Sequence, residues 1–185
     1  MEEVDRSDVP SKKKLFYSIR PELRSYLLQY GRERDLPVQY LDLLRFNLST
    51  PLIDKEGRNT LWHTVYYDER EMEELFPSLT YIYALMNTDG DMHVMEHLSV
   101  ARIDYCTFGN SKPFRVRIIN RLNDNYVHFY VKIADASRVY GLELEHLLSP
   151  NDMLYLTDDH TLIEAHIPGL PGDVFINDNL DTTKF

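Results

Sequence analysis

Two short runs hold side chains that could bind or act on a ligand. In Phe129-Tyr130-Val131-Lys132-Ile133 a lysine stands among aromatic and β-branched residues. Its long, flexible stem ends in a compact cation. The following acidic run, Ser137 to Leu148, contains the carboxylates Glu143 and Glu145. Glu143 lies four residues from both Val139 and Leu147, near the inward face of a helix. The plain alternative for Lys132 is a lysine on the solvent face of a strand. The second run is His93-Val94-Met95-Glu96-His97. On an α-helix its two imidazoles would share a face and bind zinc, with Glu96 activating water. A third, acidic ligand would be needed downstream, and Glu164 fits that role poorly. The β-like pattern that begins after His97 opposes a helical run there.

Nucleophilic catalysis has little support. Cys106 lies in a strand pattern beside aromatics, where a cysteine is ordinarily inert packing, and no G-x-S-x-G elbow occurs. Asp89-Gly90-Asp91 reads as a turn. Trp62, Tyr66, Tyr67, Tyr81 and Tyr83 could line a groove, although aromatics at such spacing more often fill a core.

The elements that must position these residues follow from periodicity. Met1 to Lys14 reads as a disordered lead-in. Pro21 to Tyr30 reads as a helix with Leu23, Leu27 and Tyr30 on one face and Gly31 as its stop. Pro37 opens a second expected helix through Tyr40, Leu41, Leu44 and Leu48. Leu48 to Asn59 reads as loop, because it contains Pro51 and Gly57. Leu61 to Tyr67 is a strand, and Asp68 caps a helix from Glu69 that Pro77 should break before a second one through Met86. From Val100 the period shifts toward two. Three antiparallel strands follow, with turns at 108–113 and 120–125. A helix from Ser137 should bury Val139, Leu142, Leu147 and Leu148. Two short strands, Met153 to Leu156 and Leu162 to Ile167, close the pattern before Pro168-Gly169. Residues 15–90 thus read as a mostly helical subdomain, 91–176 as sheet and helix, and 177–185 as a polar tail. The expected class is α+β, a helical N-terminal region packed on an antiparallel five-stranded sheet with one crossing helix.

Bulk properties narrow the partners. Thirty acidic against twenty basic residues give a formal charge of -10 over 185 residues, which opposes nucleic acid as a main partner. Lys12-Lys13-Lys14 is the local counterweight. One cysteine excludes an intramolecular disulfide, and the start of the chain has no signal-peptide core. A cytoplasmic protein with no membrane span is expected.

Residues 100–176 resemble the N-terminal lobe of the protein-kinase-like superfamily, which includes small-molecule kinases of the aminoglycoside-phosphotransferase type. The resemblance lies in element order: five antiparallel strands, a helix between the third and fourth, and a Pro/Gly linker. It implies that Lys132 grips the α- and β-phosphates of ATP and pairs with Glu143, or with Glu145 as runner-up. It further implies a phosphate loop at Gly109, Asn110 and Ser111. The backbone of Glu164 and His166 would meet the adenine edge, and Ile163 would stand at the back of the pocket. ATP and Mg²⁺ would be the cofactors of a complete molecule. The sequence departs from the family at the loop, with its single glycine, and at Tyr130, where V-A-I-K has a small residue. No H-R-D-x-x-x-x-N or D-F-G follows Pro168, so catalysis would need a C-terminal lobe of well over ~100 residues or a partner protein. The expected function is the nucleotide-side portion of a phosphotransferase, not catalytic in this chain alone. The alternatives are a non-catalytic protein-interaction domain and an H-x-x-E-H zinc peptidase at His93, Glu96 and His97.

Overall fold

A computed structural model describes residues 15–88, 91–108, 110–150, 153–169 and 175–176. The expected lead-in, Gly109 and the polar tail lie outside the described residues.

The fold is α+β, but the sheet has seven strands rather than five. They are β1 (Leu48–Ile53), β2 (Asn59–Tyr66), β3 (Leu98–Cys106), β4 (Phe114–Asn120), β5 (Tyr126–Ile133), β6 (Tyr155–Thr157) and β7 (Thr161–Ala165). Their order is β1-β2-β3-β4-β5-β7-β6, and every strand pair is antiparallel. The strand expected at Leu61 to Tyr67 is β2, and it joins the same sheet by pairing with β3; β1, in the stretch expected to be loop, forms a hairpin with it. Pro51 concealed β1. It lies on an edge strand, where a missing N–H leaves no ladder bond unmade, and the register shifts between Pro51 and Ile53. Asp54 to Arg58 makes the turn, with Gly57 at φ +81°.

Three α-helices flank the sheet: α1 (Pro21–Gln29), α2 (Glu69–Asn87) and α3 (Ala136–Leu148). Helix α1 ends as expected, with Gly31 at φ +72°, a backbone that glycine adopts without strain. The helix expected after Pro37 is absent. The segment makes only a 3₁₀ turn, Asp42–Arg45, because tertiary bonds hold it instead. The Asp42 carboxylate accepts from the Gln39 N–H at 2.8 Å, and Thr161 Oγ1 accepts from the Tyr40 N–H at 2.9 Å. Of the expected stripe, Tyr40 is buried, whereas Leu41, Leu44 and Leu48 are exposed. Pro77 does not break α2 either; it lies inside one continuous helix on its exposed side.

Alternation in β4 explains the layering. Phe114, Val116 and Ile118 are buried on one face, and Arg115 and Arg117 stand on the other. The first face continues through Phe129, Val131 and Ile163 and is covered by Leu75, Leu79 and Ile82 of α2. Among the described residues, the opposite face is covered only at its β6–β7 end. There α1 and α3 bring Leu23, Leu27 and Val139 onto Tyr155 and Leu162. Leu147 and Leu148, expected inside, are 59% and 80% exposed; α3 packs through Ala136, Val139, Leu142 and Glu143. No helix among the described residues is long and apolar enough to cross a membrane.

Candidate ligand cleft on the open sheet face

Period-two alternation and strand register decide which side chains meet on the uncovered face. Three cross-strand rows result. Lys132 lies opposite Leu162 in the first. The second runs Thr64, Asp104, Arg115, Tyr130, Glu164 across five strands. The third holds Arg102, Arg117 and His128, with the His166 N–H donating to the His128 carbonyl at 3.1 Å.

Lys132 is half-buried, and its ammonium is paired with the Glu164 carboxylate one strand away. Here the structure differs from the expected pairing with the helix. Glu143 does face inward and is 5% exposed, but it meets α1 and the segment after it. Its carboxylate accepts from Tyr155 Oη at 2.5 Å, from Tyr26 Oη at 2.9 Å and from Arg32. The Arg32 guanidinium in turn lies over the rings of Tyr30 and Tyr26 at 5.4 and 5.8 Å. Burial pushes the Glu143 carboxyl up, but the three hydrogen bonds outweigh it and hold it below its ordinary value. Glu145 is exposed and lines a neighbouring cavity of about 390 Å³. The chain's only signal for the Glu143 network lies in residues far from it, at Tyr26 and Arg32, and one-dimensional periodicity does not connect them.

Ser111, Tyr130, Lys132, Glu164 and His166 line one open cleft of about 460 Å³. Four of the expected binding residues, from a loop and two strands, therefore converge. Asn110 and Ser111 also border a cavity of about 360 Å³ toward Arg138. Ile163 is not among the cleft residues: it is fully buried on the opposite face against the α2 core. Its register with Val131 determines this, because adjacent positions on a strand face opposite ways.

Aromatic rings extend the cleft across the sheet. Tyr130 and Trp62 have centroids 6.3 Å apart, and Tyr130 Oη lies 3.1 Å from His166 Nδ1. The Arg115 guanidinium sits 4.5 Å over the Trp62 ring. Asp104 is fully buried and serves Arg115 at 2.8 Å, Arg102 at 2.9 Å and Thr64 Oγ1 at 2.9 Å. Periodicity alone missed this cluster, which needs the β2–β3 pairing to bring Trp62 and Thr64 to it. Tyr66 and Tyr81 are exposed while Tyr67 is core, so the five aromatics expected as a groove do not form one surface.

His93, Glu96 and His97 fall on a 3₁₀ helix, Met92–His97. At three residues per turn, positions four apart point about 120° away from each other, so the shared α-helical face is missing. Among the described residues no group of three or more His, Cys, Asp or Glu side chains could hold a metal ion. Cys106 is half-buried, with Sγ 3.1 Å from the Phe108 carbonyl oxygen.

Comparison of the chain with family models, curated proteins and solved structures finds no match.

Proposed function

We propose that this chain is the nucleotide-side portion of a kinase-like phosphotransferase, with a second lobe or partner protein completing the site. The observation that carries this reading is the convergence of Ser111, Lys132, Glu164 and His166 on one cleft. An ammonium at the cleft wall offers a cation to a polyphosphate, and Glu164 holds it there. Tyr130 and Trp62 provide π-faces on which a purine can stack, in place of the small residue the resemblance calls for. ATP fits this donor set. Mg²⁺ has no three-carboxylate cluster among the described residues, so its protein ligands would belong to the completing lobe.

The test is titration of the chain with a fluorescent ATP analogue and Mg²⁺. Saturable binding that weakens roughly 10- to 100-fold in Lys132→Ala supports the reading, as expected for one lost charged hydrogen bond. Absence of binding, or binding indifferent to Lys132, overturns it.

A second reading, a non-catalytic protein-interaction domain, draws on α3. Tyr140, Leu144, Leu147 and Leu148 recur at helical spacing and are 45–80% exposed. Such a stripe on a helix whose other face is already packed supports a protein partner.

A further inference from the structure

The third row of the open face places like charges against each other. Arg102 and Arg117 are directly opposite on β3 and β4, and Arg117 is directly opposite His128 on β5. Like charges facing across a ladder destabilise it, so such a row calls for a counter-charge. Protein carboxylates supply only part of it. Asp104 takes both Arg102 and Arg115. Arg117 has no carboxylate within ion-pair distance among the described residues. Its Nε donates to His128 Nε2 at 3.1 Å, and its guanidinium lies 4.3 Å over the Tyr126 ring. Its two terminal amino groups have no protein acceptor among the described residues.

The His128 imidazole adds a donor rather than a charge. Because His128 Nε2 accepts from Arg117, its proton is on Nδ1. Burial and then the nearby Arg115 and Arg117 push His128 down to about 4, so it is neutral at neutral pH. Burial and Arg102 likewise lower Arg117. Two of the three guanidiniums share Asp104 and that of Arg117 has no ion-pair partner among the described residues, in a chain whose overall charge is -10. At its β5–β7 end the row borders a cavity of about 570 Å³ lined by Tyr126, His128 and His166.

We propose that the Arg102–Arg117–His128 row is an anion site that binds a phosphate dianion, separated from Lys132 by the row of Arg115 and Tyr130. A dianion matches the two guanidinium charges that Asp104 leaves uncompensated. Two adjacent guanidiniums also suit a tetrahedral oxyanion, whose several oxygens accept forked N–H donors. The phosphate can be free or a monoester.

The test is titration of the full 185-residue chain with inorganic phosphate at fixed ionic strength, read by NMR of the arginine Nε–H and histidine ring signals. A saturable shift at Arg117 and His128 is expected. Arg117→Gln should weaken it roughly tenfold or more, Arg117→Lys should lie between, and Lys132→Ala should stay within about twofold of wild type. Far-UV circular dichroism confirms that each variant is folded. Parallel titrations with a phosphoserine peptide and a sugar phosphate identify the source: tighter binding than inorganic phosphate marks a monoester. Shifts that do not saturate, or that survive Arg117→Gln, overturn the proposal. Because Lys132→Ala leaves this site intact, failure here is distinct from failure of the nucleotide reading.

Discussion

The Lys132 ammonium is held by Glu164 of β7, diagonally across the ladder from its direct neighbour Leu162. Side-chain exposures of 20% and 15% place the pair at the cleft wall, where it is only partly screened. A polyphosphate that binds the ammonium must therefore do so beside a carboxylate. Glu164→Gln removes the opposing charge and leaves a hydrogen-bond acceptor. It is expected to tighten ATP binding roughly threefold, the order of one half-exposed ion pair. Fluorescence titration of the variant against wild type measures this.

Glu143 joins α3 to α1 and the segment after it through Tyr26, Arg32 and Tyr155. Glu143→Ala leaves the Arg32 guanidinium, 14% exposed, without its counter-charge. The expected loss of stability is about 3 kcal/mol, read from urea denaturation. The same network has a pH signature. Because the folded carboxyl sits below its ordinary value, its stabilisation is full above the unfolded pKa of about 4.3 and is lost as pH falls through the folded value. Glu143→Gln should flatten the acid limb relative to wild type.

His128 predicts a second pH effect with a different window. The folded imidazole is held down to about 4, whereas the unfolded one titrates near 6.5. Between those values the unfolded chain binds the additional proton, so stability falls as pH drops from about 6.5 to about 4. In His128→Gln this component should vanish. Urea midpoints at half-unit pH intervals, taken as wild type minus variant, isolate it from the carboxylates.

Pro77 on the exposed side of α2 removes one N–H from the helical ladder. Pro77→Ala restores that bond, while the unfolded chain gains freedom that offsets part of the gain. The net expectation is about 1–2 kcal/mol of added stability, measured as a raised thermal midpoint.

Legibility followed periodicity. The meander β3–β5, helix α3 and the β6–β7 hairpin were readable because their alternation is strong and their turns are rich in Asn, Asp, Gly and Pro. Those strands carry Lys132 and Glu164, whose meeting on one face follows from register, while Ser111 and His166 lie in the segments that flank them. Strand β2 was readable from Leu61 to Tyr67, but its partner β1 was hidden by Pro51, whose edge position is a tertiary fact. The continuity of α2 through Pro77 was hidden for the same reason. Glu143 was readable as inward, but its partners were not. Arg32 and Tyr26 lie 111 and 117 residues away, and a lysine on the adjacent strand looked nearer. The arginine row depends on Arg102 arriving opposite Arg117 after the β-bulge between Val100 and Arg102, which no one-dimensional pattern shows.

The most direct measurement is a backbone amide NMR titration of the chain with ATP and Mg²⁺. The account predicts saturable shifts concentrated at Ser111, Tyr130, Lys132, Glu164 and His166, lost in Lys132→Ala. Shifts that avoid this cleft, or no saturable change at all, would contradict it.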